Sequence, residues 1–129
     1  MSIEAGLRAV LTGDAGVAAL VGGRIYPLRL PAKPIWPAIR YARVSTVLDR
    51  TVDGSLGRKV ARFQIDCWDE TPDGADTLAR AVEAALAAFS GTSAGARILH
   101  SRLDNEQQAV EGKPTLYRVI QDFIVTYAE

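Results

Sequence analysis

The sequence predicts an α+β fold: a mainly antiparallel sheet with a long β-hairpin, an N-terminal helix, and one long amphipathic helix packed on the sheet. Three observations lead there. Residues 61–68 alternate, with Ala61, Phe63, Ile65 and Cys67 on one side and Arg62, Gln64, Asp66 and Trp68 on the other, the period of a strand. The period then changes, and Leu78, Val82, Ala85, Leu86 and Phe89 fall on one helical face. Finally, the run AIRYARVSTVL at 38–48 is followed by the turn dipeptide Asp53-Gly54 and then by the strand at Arg58, a hairpin pattern.

The remaining elements follow in order. Ser2 is suited to cap a first helix, with Glu4 in its first turn and Ile3, Leu7, Val10 and Leu11 as its apolar face. Gly13-Asp14 breaks that helix. A short second helix over 14–21 ends at Gly22-Gly23. Arg24, Ile25 and Tyr26 read as a short strand stopped by Pro27. Residues 27–37 hold Pro27, Pro31, Pro34 and Pro37 and form an extended arm. Thr71 caps the long helix, Pro72 suits its first position, and Asp73 and Asp76 complement its dipole. Residues 90–95 read as a small-residue loop, 96–104 as a strand, 105–114 as a polar turn and 116–127 as a closing strand. Tyr117, Val119, Phe123, Val125 and Tyr127 line one side of that last strand.

The 129 residues suit a single domain spanning 1–129, and the 48% hydrophobic content is that of a globular chain. Fifteen basic and fifteen acidic side chains cancel, which argues against a dedicated nucleic-acid binder. The start of the chain lacks the basic and apolar regions of a signal peptide, and no apolar run approaches the ~20 residues of a membrane span. Expected, then, is a protein made in a cytosol and not bound to membrane.

Few residues suggest chemistry. Cys67 lies on the apolar side of a strand and reads as a small buried hydrophobe. His100, the single histidine, has no neighbouring ligand and reads as a half-exposed strand residue, so no metal or cofactor is expected. A triad of Cys67, His100 and Asp66 requires adjacent Asp66 and Cys67 to point the same way, which a strand forbids. The carboxylates Asp66, Asp69 and Glu70 read as helix capping and a solvated strand end, and Asp104 with Glu106 as part of a polar turn. Gly22-Gly23, Gly54 and Gly57 do not make a phosphate cradle. Arg40, Arg43, Arg58, Lys59 and Arg62 lie along the hairpin and, with Asp49, Asp53 and Asp66 nearby, suggest mixed ion pairs across a subunit contact.

Several of these segments together carry a resemblance. Gly22-Gly23-Arg24-Ile25-Tyr26-Pro27, the proline-rich arm, Pro37-Ala38-Ile39-Arg40-Tyr41, Phe63-Gln64-Ile65-Asp66-Cys67-Trp68 and Tyr117-Arg118-Val119-Ile120-Gln121-Asp122-Phe123 resemble the tail-completion or tail-terminator proteins of long-tailed phages and gene transfer agents. The resemblance implies an α+β subunit of a virion, a hexameric ring and no catalytic residues. It also implies a place at the head-proximal end of the tail tube, against head-completion proteins of the neck, with DNA passing through the lumen without sequence-specific binding. Alternative readings are a head-tail connector or stopper subunit, or a small enzyme or ligand-binding domain using Asp66, Cys67 and His100. From the residues themselves, Leu28, Leu30, Ile35 and Trp36 of the apolar arm are the expected subunit contacts. Arg50, Asp53, Arg58 and Lys59 at the charged hairpin tip are the expected partner contacts.

Overall fold

A computed structural model describes residues 2–48, 57–112 and 115–128. The described elements are α1 (Ile3–Gly13), α2 (Ala15–Val21), β1 (Ile25–Pro27), β2 (Ala38–Leu48), β3 (Arg58–Asp69), α3 (Pro72–Ala88), β4 (Gly91–Ser93), β5 (Ala96–Glu111) and β6 (Leu116–Ala128). The strands form one sheet in the order β1-β2-β3-β6-β5-β4. Every pairing is antiparallel except β1 with β2, which run parallel through Ile25 opposite Ile39. This is an α+β chain whose sheet is mainly antiparallel.

Side-chain caps set where the helices begin. Ser2 Oγ accepts from Ala5 N–H at 3.1 Å, Asp14 Oδ2 from Val17 N–H at 3.0 Å and Thr71 Oγ1 from Gly74 N–H at 3.0 Å. Asp14 does two jobs: its backbone N–H closes α1 on Leu11 O while its carboxylate opens α2. That is why two short helices follow one another with a single residue between them.

The helices cover one face of the sheet. Ile39 and Tyr41 of β2, Phe63, Ile65 and Cys67 of β3, and Val119, Phe123, Val125 and Tyr127 of β6 point toward them. α3 buries Ala75, Leu78, Ala79, Val82, Ala85 and Leu86 on that layer, and α1 buries Ile3, Gly6, Leu7, Val10 and Leu11. Three polar side chains fasten the sheet to helix carbonyls: Gln121 Nε2 donates to Ala79 O at 3.0 Å, Ser101 Oγ to Leu86 O at 2.7 Å and Ser93 Oγ to Gly6 O at 2.8 Å. Each satisfies a buried polar group that would otherwise cost about 1–3 kcal/mol.

Two stretches differ from the sequence expectation. The small-residue loop over 90–95 contains β4, which pairs Gly91 with Ile98 and Ser93 with Ala96. The turn expected over 105–114 is instead mostly strand, because β5 continues to Glu111 opposite Leu116. Residues 105–108 of β5 are all exposed, so the alternation that reveals a strand is missing, and the ladder to β6 makes them strand. The hairpin tip, with Asp49, Arg50, Asp53 and Gly54, lies outside the described residues. β2 and β3 form an antiparallel pair, Ala38 opposite Trp68 and Leu48 opposite Lys59.

The tight approach of α1 to β4 at Gly6 gives a test. A Cβ at Gly6 would lie 2.8 Å from the backbone oxygen of Ser93. Alanine favours a helix over glycine by about 1 kcal/mol, but here the obstacle is a strand carbonyl that cannot rotate away. Gly6→Ala should therefore destabilise the protein, by about 1–3 kcal/mol, measured as a fall in the urea midpoint. A rise would mean that α1 can lift from β4 at little cost.

Candidate functional site

The face of the sheet turned away from the helices carries the feature that stands out among the described residues. Asp66 points there, against the Phe63-Ile65-Cys67 side of β3, and is fully buried. Its Oδ2 lies 2.8 Å from Arg40 Nη1 and 3.7 Å from Arg118 Nη1, and its Oδ1 accepts from Gln64 Nε2 at 3.1 Å. The expectation of a solvated strand end is corrected: Arg40 on β2 and Arg118 on β6 flank Asp66 in neighbouring strands, and the arm is anchored beside it, on Arg40 and Trp68. Burying a carboxylate costs several kcal/mol unless charge and hydrogen bonds replace its water, and two guanidiniums plus an amide do so here.

The arm reaches this cluster from both of its ends. Trp36 rests against Trp68, ring centroids 5.8 Å apart and planes tilted by 34°. The Trp36–Pro37 peptide is cis. The Arg118 guanidinium lies over the Trp68 ring, 4.9 Å from its centre, and its Nη2 pairs with Glu111 at 2.8 Å. At the arm's beginning, Leu28 N–H donates to Tyr41 O at 2.8 Å, and Leu28 O accepts from Arg40 Nε at 2.6 Å. Between these bonds Leu28 is held at φ 67°, a left-handed conformation that is strained for a leucine. The result is a side chain thrust outward: Leu28 is 67% exposed and Ile35 is 66% exposed. Leu30 and Trp36 are half-buried. Of the four expected contacts on the arm, two therefore face solvent, and Trp36 anchors the arm to its own subunit.

Part of the basic run on β2 and β3 is engaged within the chain. Arg40 pairs with Asp66 of the neighbouring strand, Arg43 with Glu4 of α1 at 3.0 Å, and Arg62 reaches across β6 to Asp104 of β5 at 3.2 Å. Asp104 bridges Arg102 and Arg62, and those hydrogen bonds hold its carboxyl below the usual range. Glu106 joins Arg80 and Gln121, linking β5 to α3 and β6. Asp69 accepts from Glu70 N–H at 2.8 Å. None of these carboxylates faces another across a cleft. Arg58 and Lys59 are half-buried at the start of β3, while Arg50 and Asp53 lie outside the described residues.

The residues once considered for a triad do not meet. Cys67 is fully buried on the helix side, where its thiol donates to Gln121 Oε1 at 3.7 Å, and burial pushes that thiol far above its ordinary value. Asp66 faces the opposite side, and His100 is exposed on β5, with β6 lying between β5 and β3. Among the described residues no group of three or more His, Cys, Asp or Glu is placed to hold a metal ion, and no helix is long and apolar enough to cross a membrane. Sequence reasoning missed Asp66 and Gln121 as buried polar residues. For Gln121 a signal existed, because it falls in the inward register between Val119 and Phe123.

A one-sided sheet with structural ion pairs and an outward-facing apolar arm describes a subunit built to be packed against other proteins. The chain matches the family described as Tail completion protein gp17 over residues 5–128, and it belongs to that family. It is thus a structural protein of the virion tail region. No curated protein matches it. Among solved structures, a chain from "Virion of native gene transfer agent (GTA) particle" has the same fold, with a TM-score of 0.78 at 22% identity, covering 99% of this chain and 96% of that one.

Two outcomes test the site. Asp66→Asn should lower stability by about 2–3 kcal/mol, below the full range for a broken buried pair because both arginines are about a quarter exposed. Denaturant titration reads this directly, and a loss under 0.5 kcal/mol would mean that the two arginines reach water instead. Cys67 should resist thiol reagents in the folded protein and react at the rate of unfolding; prompt labelling in native buffer would contradict its burial.

Proposed function

We propose that this protein is a tail terminator: six copies form a ring on the head-proximal end of the tail tube, stop its growth, and offer a surface to the head-completion, stopper or connector proteins of the neck. The observation that carries the reading is the family match, which runs through every helix and strand of the fold. The partners are other copies of the chain, the tail tube protein and the neck proteins, and DNA passes through the lumen without sequence-specific contact. A formal charge of zero supports a conduit, since each neutralised phosphate would add salt-dependent grip on the passing duplex. No catalytic step is part of this role.

Leu28, Leu30, Ile35 and Trp36 contribute to the contact between subunits. The arm suits this because its prolines restrict the free chain, so little order remains to be lost when a neighbour covers it. Arg50, Asp53, Arg58 and Lys59 are the contacts to the tube or neck.

Electron microscopy of the protein, alone and mixed with its own tail tubes, decides the matter. Rings of six on one tube end are expected. Protein that ignores tubes but binds the neck would instead be a connector or stopper subunit, and protein that binds neither would direct attention back to a ligand.

Two variants dissect the role. Leu28→Gly removes an exposed apolar side chain and relieves the left-handed strain, offset in part by the greater freedom glycine gives the unfolded chain. Its unfolding midpoint should hold or rise while subunit association weakens, read by sedimentation or by ring counts. Arg50→Ala with Asp53→Ala should leave the circular dichroism spectrum unchanged and impair joining, scored as free tails in micrographs; normal joining removes the tip from the interface.

A further inference from the structure

The sheet has two open margins, and they match. β1 reaches only to Tyr41, so among the described residues 42–48 of β2 form one margin. β4 reaches only to Ile98, so 99–111 of β5 form the other. Following the registers across the sheet, Ala42 is level with Gln64, Asp122 and Asn105, and Leu48 is level with Lys59, Tyr127 and Ile98. The two open stretches therefore stand at the same height. Each bends at nearly the same level, β2 at Val44 and β5 at Asp104, on either side of the Phe63–Phe123 pair. The chain runs in opposite directions along them, because three antiparallel pairings separate β2 from β5.

An open margin of this kind attracts another strand, and proteins usually guard it with charge. Here β2 instead exposes Val44, Val47 and Leu48, at 57%, 60% and 55%. We propose that the partner is a second copy of this chain, with the β2 margin of one copy pairing antiparallel with the β5 margin of the next and continuing the sheet from subunit to subunit. The inference rests on the ring reading above and supplies its contact. Rotation about an axis along the strands preserves both height and direction, so the β2 margin of each copy meets the β5 margin of its neighbour, the head-to-tail contact that closes into a ring.

Each subunit brings four long strands, so six would supply about 24, and at ~4.8 Å spacing their backbones would enclose a circle roughly 37 Å across, which strand tilt widens and inward side chains narrow.

Cysteine cross-linking tests the pairing. Val47 and His100 are level, both through Thr126, and lie on the same face. Both are exposed, and the native Cys67 is buried. Val47→Cys and His100→Cys proteins, each first shown to fold by circular dichroism, are mixed, assembled on tail tubes and treated with a short bis-maleimide. The mixture should yield at least tenfold more covalent dimer than either variant alone, and the double variant should give a ladder ending at the full ring. In the unmodified protein, amides of 42–48 and 99–105 should gain hydrogen-exchange protection on assembly. Rings that form without the cross-link and without that protection would overturn the strand pairing and leave the ring intact. Absence of any oligomer on tubes would overturn both.

Discussion

The rest of the structure depends on the one-sided covering of the sheet. α1, α2 and α3 all pack on the face formed by Phe63, Ile65, Phe123 and Tyr127, so a single hydrophobic core serves the whole chain. The opposite face must then stand without a second helical layer. A sheet face in that position is tolerable only if its side chains are polar, amphipathic or covered by something else. This chain uses all three means: arginines and carboxylates in cross-strand pairs, the stems of Arg40 and Arg118, and an arm packed on Trp68.

The Asp66 cluster follows from that arrangement. Its three charged members come from β2, β3 and β6, and the tryptophans from β3 and the arm. A purely apolar patch on this face would have been exposed wherever the arm failed to reach, whereas an ion cluster keeps its arginines partly in water. The buried charge also specifies geometry, since Arg40 binds both Asp66 and the carbonyl of Leu28 and so ties the position of the arm to the register of the sheet. Trp68 Nε1 and Arg118 Nε are buried without an acceptor among the described residues, donors left in the part of the molecule where the arm ends.

For a structural virion protein, this division of labour has a clear physical sense. The helix side carries the stability of the subunit, while the margins and the arm are free to be surfaces. Exposed Leu28 and Ile35, and the apolar stretch of β2, would be liabilities in a chain meant to remain alone. In the proposed ring they are area that a neighbour would withdraw from water, at ~25 cal/mol for each Å².

The sequence by itself determined the local elements. Caps at Ser2, Asp14 and Thr71, the alternation in β3 and β6, and the apolar stripe of α3 are all set by residues within a few positions of one another, so their periods and caps are readable directly. The inertness of Cys67 was legible for the same reason. What only the tertiary structure decided involves strands that are distant in sequence. Residues 105–108 are strand because β6 pairs with them, not because of their own pattern. Asp66 is satisfied because Arg40 and Arg118 converge on it from two other strands, and Arg62 is neutralised by Asp104, forty-two positions away. Burial and charge pairing are properties of neighbours in space, and alternation along one strand says only which way a side chain points, not what waits there.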